Sequence, residues 1–192
     1  VASVKGSVLK YNPNNKIVDI SHEVNKYDLS HAAYIFKNVY KEFPQGSVHI
    51  IGVNNSDDDN KIILFQLNNQ YVITYDSGII SLLDSKENSS VIEIEGVIYS
   101  SFPEKLMGEI ASKIASGINY TTLGKPISEF KQFSNVEVKI TNNEIVGHSI
   151  RIDHYGNIIT NITKSDFNKV LSKNSGSFEI NLGIDKINKL SN

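Results

Sequence analysis

Apolar positions recur along this chain with two alternating periods. Val1, Val4, Val8 and Tyr11 repeat at helical spacing with Gly6 as the only breaker, which predicts an opening amphipathic helix. Lys16 to Ile20 (K-I-V-D-I) follows as a short buried strand. Tyr27-Asp28-Leu29-Ser30 supplies N-cap residues for a helix carrying Ala33, Phe36, Val39 and Tyr40 on one face and ending near Pro44 and Gly46. Val48 to Val53 is a second apolar run of strand length. Ile62 to Leu67 and Tyr71 to Thr74, joined across Asn68-Asn69-Gln70, predict a hairpin. A short helix at Gly78 to Leu83, a strand at Val91 to Ile94 and a helix from Glu104 to Ser116, stopped by Gly117, continue the alternation. Strands interleaved with helices build an α/β layer around a central sheet, and residues 1–118 suffice for it.

Residues 119–135 turn polar and aperiodic, with Gly124 and Pro126, and are expected to be a linker. Residues 136–192 are strand-rich: Val136 to Ile140, Ile145 to Ile152, Ile158 to Ile162, Phe178 to Ile180 and Ile187 to Leu190, with one short helix at Lys164 to Leu171. The expectation is a smaller β-barrel-like domain that looks truncated, because five short strands with an open edge leave backbone groups unpaired. The start at Val1 rather than Met, inside the first helical segment, suggests a missing beginning as well.

Composition narrows the class. The chain has 192 residues, 40% hydrophobic and 21% charged, as in ordinary soluble globular proteins. A net charge of -2 carries no polyelectrolyte signature, so nucleic acid is not expected as a partner. Without Cys there is neither a disulfide framework nor a thiolate metal site. No apolar run approaches the roughly 18 residues of a membrane span and no signal-like segment opens the chain, so a cytoplasmic protein is expected. The spacings of His22-Glu23 and of His148, Asp153 and His154 split these side chains between strand faces, and no metal is expected. His49, inside an apolar strand, reads as a satisfied core histidine.

The densest chemistry lies between Gly147 and Ile162. There a β-type run ends in Asp153-His154-Tyr155-Gly156-Asn157 and resumes as a second β-type run. A carboxylate, an aromatic face and a carboxamide gather within five residues, with Gly156 free to take positive φ. Two readings are open. The cluster can hold an ammonium, a flat ring and a base edge, or it is a hairpin whose Asx side chains satisfy their own backbone.

Five segments in order, K-G-S-V-L-x-x-N-P at Lys5 to Pro13, I-V-D-I-S-H-E-V at Ile17 to Val24, A-A-Y-I-F-K-N-V-Y at Ala32 to Tyr40, F-P-x-G-S-V-H at Phe43 to His49 and the I-D-H-Y-G-N-I-I-T-N-I run, resemble the S-adenosylmethionine hydroxide adenosyltransferase family. Its members are also called S-adenosylmethionine hydrolases and are relatives of the fluorinase and chlorinase enzymes. The resemblance implies an N-terminal α/β domain and a C-terminal β-barrel that bind S-adenosylmethionine between them, at the interfaces of a homotrimer. It further implies attack of water or hydroxide on the ribose C5′, giving adenosine and methionine. S-adenosylmethionine is then substrate or ligand, and no cofactor is expected.

The resemblance places an Asp, an Arg and a His around that water, and this chain departs at all three positions. Asn54 takes the Asp position and Lys61 the Arg position, with Asp57, Asp58 and Asp59 between them. The His position falls on Phe102 or Pro103. A carboxamide cannot accept a proton as a carboxylate does, whereas Lys61 keeps the positive charge. By the same resemblance Asp153 faces the methionine ammonium, Tyr155 packs near the adenosine or methionine, and Asn157 bonds the adenine edge. Asp76-Ser77-Gly78 matches an Asp-Asn-Gly turn beside the pocket. Three functions stay open: a hydrolase with a rearranged water-activating set that draws on one of Asp57 to Asp59, a catalytically silent binder of S-adenosylmethionine or adenosine, and a structural trimer without ligand.

Overall fold

The strongest apolar run of the chain, Ile62-Ile63-Leu64-Phe65, becomes β2 (Ile62–Leu67), and all four side chains are fully buried. A strand apolar on both faces needs a layer on each side. The computed structural model describes residues 1–54, 61–83, 90–95, 102–133, 137–174, 176–182 and 185–187, and it supplies both layers. The chain divides into two units, Val1–Ser134 and Asn135–Asn192.

In the first unit β2 is flanked by β3 (Gln70–Tyr75) and β4 (Val91–Ile94), with β1 (Val48–Ile51) and β5 (Gly124–Ile127) outside them, in the order β1-β3-β2-β4-β5. β1 and β3 are parallel and the other pairs antiparallel, so the sheet is mixed. The hairpin between β2 and β3 turns on Asn68 and Asn69 at φ 49° and 59°, the left-handed pair that a two-residue hairpin turn demands and that Asn tolerates. Gln70 therefore opens the strand rather than closing the turn.

Strand alternation sorts the side chains. Ile63, Phe65, Val72 and Val91 face a cluster under α2 (Leu29–Val39), while Ile62, Leu64, Ile73 and Tyr75 face α1 (Ala2–Tyr11) and α3 (Pro103–Ala115). Each fully buried Ile, Leu or Phe contributes roughly 1.5–3 kcal/mol. The Tyr75 hydroxyl donates to Glu104 Oε1 at 3.1 Å, joining β3 to the first turn of α3. Burial, reinforced by the nearby Glu104 carboxylate, pushes this phenol well above its usual range.

Both ends of α2 are fixed by side chains. Asp28 caps it, accepting from the His31 N–H at 2.9 Å. Beyond its far end, the Gln70 carboxamide donates to the carbonyls of Tyr40 (3.0 Å) and Phe43 (2.7 Å), and its oxygen lies 2.8 Å from His49 Nε2. The rings of Phe36 and Phe43 meet His49 edge-on. His49 is thus a satisfied core histidine. This knot ties the end of α2 to the start of β3, so α2 runs antiparallel to β1 and β3.

Two expectations fail in this unit. Lys16 to Ile20 forms no strand, and Ile17, Val18 and Ile20 are exposed. An apolar run becomes a strand only where another edge takes its N–H and C=O groups, and among the described residues none pairs with it. Asp19 instead pairs with Lys5 and His22. Residues 119–135, read as linker, carry a 3-10 turn (Tyr120–Thr122) and β5, which pairs with β4. Pro126 disguised that strand; at a sheet edge its missing N–H costs no ladder bond.

In the second unit the described residues form three antiparallel pairs and no closed barrel. β6 (Lys139–Ile140) pairs with β7 (Ile145–Val146), β8 (Ser149–Ile152) with β9 (Ile158–Thr160), and β10 (Ile180–Leu182) with β11 (Asp185–Ile187). The expected strand from Ile145 to Ile152 is broken at Gly147-His148, where the Asn161 carboxamide oxygen accepts from the His148 N–H at 2.7 Å. Helix α4 (Lys164–Lys173) is capped by Thr163, whose hydroxyl accepts from the Asp166 N–H. No helix among the described residues is long and apolar enough to cross a membrane.

Candidate functional site

The carboxyl ends of the parallel strands β1 and β3 lie side by side, and a polar group collects there. Asn54, half-buried, lies three residues past β1, and Asp76-Ser77-Gly78 follows β3 directly. Lys61 precedes β2, and its carbonyl accepts from the Asp76 N–H at 2.8 Å. Its ammonium lies 3.7 Å from Asp76 Oδ2 and 3.2 Å from Glu93 Oε2. The Asp76 side chain is only 5% exposed, and its Oδ1 accepts from the Lys131 N–H at 2.8 Å. The Lys61 and Glu93 side chains are 29% and 40% exposed, so their pairing adds at most about 1 kcal/mol and acts mainly to fix the ammonium.

The Asp76-Ser77-Gly78 turn is built by close approach. Gly78 sits at φ +92°, and a Cβ there would stand 2.9 Å from the Phe133 nitrogen. The Phe133 N–H in turn donates to Ser81 Oγ at 2.8 Å, fastening residues 131–133 over the turn. Ser77 is buried within it. Two buried polar atoms of this unit, His31 Nε2 and Thr74 Oγ1, have no hydrogen-bond partner among the described residues; such atoms cost about 1–3 kcal/mol each. Phe102, half exposed before α3, lies under the Lys105 ammonium at 4.2 Å, and Pro103 is buried at the start of that helix. Neither carries a group that moves protons. Asp57, Asp58 and Asp59 lie outside the described residues.

In the second unit, the turn between β8 and β9 gathers Asp153, Tyr155 and Asn157. Asp153 Oδ1 accepts from the N–H groups of Tyr155 (2.9 Å) and Asn157 (2.8 Å), and Oδ2 from the Asn157 carboxamide at 2.8 Å. The bond from the Asn157 side chain, with those from the backbone, holds the Asp153 carboxyl below its ordinary value. Tyr155 is 88% exposed, and the cross-strand partners Ile152 and Ile158 beside the turn are exposed too. The hairpin with self-satisfied Asx groups is therefore what this chain adopts, and it still presents an aromatic face and a carboxylate edge to solvent.

Residues 1–124 match the N-terminal domain of SAM hydroxide adenosyltransferases. The chain belongs to the SAM hydroxide adenosyltransferase family. Over 177 residues, 86% of its length, it is 27% identical to an (R)-S-adenosyl-L-methionine hydrolase of Methanocaldococcus jannaschii. It spans 63% of that relative's length. Its fold is similar to that of an uncharacterized conserved protein from Thermotoga maritima, with a TM-score of 0.80 at 19% identity over 97% of this chain and 75% of the other. A conserved hypothetical protein from Thermus thermophilus gives a TM-score of 0.61 at 21% identity over 83% and 65%. These two likenesses speak to fold alone.

Asn54, Lys61, Asp76 and Ser77 all fall within the segment matched to this hydroxide adenosyltransferase family. The fold brings Lys61 and Asp76 into one cluster and adds Glu93, which the sequence reading passed over. The available signal was a lone carboxylate inside the apolar run V-I-E-I. Glu93 pairs with Ile63, two residues from Lys61, so both charges share one sheet face. Asp153, Tyr155 and Asn157 belong to the other unit and form a cluster of their own.

Proposed function

We propose that this chain acts on S-adenosylmethionine as a hydrolase, water attacking the ribose C5′ to give adenosine and methionine. The observation that carries this reading is membership of the hydroxide adenosyltransferase family across residues 1–124. The named hydrolase of Methanocaldococcus jannaschii, 27% identical, supports it. The chemistry asks little of the protein. A sulfonium leaves readily, so the site must chiefly hold the nucleophile in line and let water shed a proton.

In this reading the polar cluster at Lys61, Asp76 and Glu93 is the first unit's contribution to ligand binding. For the second unit the family resemblance assigns Asp153 to the methionine ammonium, Tyr155 to a flat ring and Asn157 to the adenine edge. A homotrimer is part of the same proposal, supported by two exposed apolar surfaces, Ile17, Val18 and Ile20 in one unit and Ile152, Tyr155 and Ile158 in the other. Association is the ordinary means of covering such surfaces.

A second reading, a catalytically silent binder, is favoured by the substitutions at Asn54, Phe102 and Pro103, none of which takes up a proton. One experiment separates the two. The protein is incubated with S-adenosylmethionine, adenosine and methionine are followed by chromatography, and Asp153→Ala is the control. Adenosine formed by the parent and lost in the control is the expected result. Calorimetric binding without adenosine establishes the silent reading, and neither binding nor adenosine overturns both.

A further inference from the structure

His31 occupies the first turn of α2, its side chain is 10% exposed, and its Nε2 is buried with no hydrogen-bond partner among the described residues. Its place in the fold follows from the anchoring of α2. Beyond the helix end, the carbonyls of Tyr40 and Phe43 are tied to Gln70 at the start of β3. The helix therefore runs back along the sheet, and 11 residues at 1.5 Å each carry its first turn roughly 16 Å toward the carboxyl ends of β1 and β3. Along its length α2 packs against the 3-10 turn Ile79–Leu82, which follows Asp76-Ser77-Gly78 beyond the carboxyl end of β3. In sheets with parallel strands this end is where ligands bind.

The other ring nitrogen has a carboxylate nearby. His31 Nδ1 lies 4.0 Å from Asp28 Oδ2, and Asp28 is held in place because its Oδ1 caps the helix. A carboxylate beside Nδ1 favours the tautomer with its proton there, leaving the lone pair on Nε2. Among the described residues at this end, Glu93 holds the Lys61 ammonium through Oε2 at 3.2 Å, and Asp76, Lys61, Asn54 and Phe102 are committed or inert. Asp76 gives Oδ1 to the Lys131 N–H and Oδ2 to the Lys61 ammonium. Lys61 between two carboxylates has no lone pair, and Asn54 and Phe102 are not bases.

We propose that His31 is the base that accepts the proton of the attacking water, a role that rests on the hydrolase reading above. The water oxygen bonds to C5′ as the C5′–S bond breaks, and that electron pair stays on the methionine sulfur. The water proton passes to Nε2. The positive charge lost at sulfur reappears on an imidazolium beside Asp28.

The test uses His31→Gln, His31→Ala and Asp28→Asn, the last of which keeps a cap acceptor but removes the charge. Single-turnover adenosine formation and calorimetric affinity for S-adenosylmethionine are measured together. We expect both His31 variants to bind within about threefold of the parent and to turn over at least ~100-fold more slowly. Added imidazole restores part of the rate to His31→Ala and none to Asp153→Ala. Asp28→Asn slows the reaction by about tenfold through the mis-set tautomer. A rate within threefold of the parent in His31→Gln overturns the proposal, as does a folded His31→Ala that imidazole fails to rescue. If both His31 variants unfold, an unchanged rate in Asp28→Asn overturns it. A parent that makes no adenosine is a distinct result, which removes the hydrolase reading and this role with it.

Discussion

Replacing Gln70 by Leu tests whether the knot at the end of α2 holds the first unit together. Leu nearly matches Gln in volume, so no cavity opens and the cost is that of stranded polar groups. The structure counts two of them, the Phe43 carbonyl, accepting at 2.7 Å, and His49 Nε2 at 2.8 Å, because the Tyr40 carbonyl keeps the Phe43 N–H at 3.1 Å when Gln70 is lost. Each buried group without a partner costs about 1–3 kcal/mol, and the Phe43 carbonyl is open enough for water to relieve it, so the expected loss is about 1–3 kcal/mol. Because the chain has two units, one bulk signal would mix their transitions. Native-state hydrogen exchange of the β3 amides against urea reports the first unit alone. A double-mutant cycle with His49→Phe then isolates the His49–Gln70 bond, with an expected coupling of about 1 kcal/mol or more. A loss below about 1 kcal/mol in Gln70→Leu would show that α2 is held by its apolar face and that the knot adds nothing.

Burial pulls the His49 pKa below its ordinary 6.5, the bond to Gln70 opposing this only in part. The unfolded chain therefore binds a proton that the folded one refuses: stability is full above 6.5 and falls as pH drops from there toward the folded value. Urea midpoints read from signals of the first unit alone at descending pH should show this slope in the parent and lose it in His49→Phe; a slope that persists would assign it to other groups. Gly78→Ala meets two costs at once, the left-handed φ of +92° and a Cβ at 2.9 Å from the Phe133 nitrogen. Since the left-handed region alone costs a side chain about 1–2 kcal/mol, a total of about 2 kcal/mol or more is expected from native-state hydrogen exchange of the β3 amides. A neutral substitution would mean that residues 131–133 yield freely.

The elements read most directly from the residues were those whose signals are local. Asp28 as a cap, the hairpin across Asn68 and Asn69, and the apolar run of β2 each follow from chemistry within a few positions. Lys16 to Ile20 went wrong because a strand is a relation between two edges, and apolar composition does not report whether a second edge is there. β5 was hidden by Gly124 and Pro126, which read as linker chemistry until the pairing with β4 puts them at a sheet edge. The candidate site divides in the same way. The Asp153 turn is local and legible, while the meeting of Lys61 with Glu93 needs the register of β2 and β4, and the placing of His31 needs to know which end of α2 is tied to Gln70.

Electrostatics at the carboxyl end of the sheet bears on which nucleophile the proposed reaction uses. Lys61 contributes one positive charge there and Asp76 and Glu93 two negative ones, so the trio carries a net negative charge. Such an end attracts a cationic sulfonium and repels hydroxide, whose concentration near neutral pH is already small. The substrate's charge is thus an aid to binding, and a free anion is a poor choice of attacker. Neutral water remains, and neutral water requires a base inside the site. The carboxylates that bring in the cation are already engaged with the Lys61 ammonium. A neutral imidazole can take the water's proton without adding a charge that would compete with the sulfonium before the reaction begins.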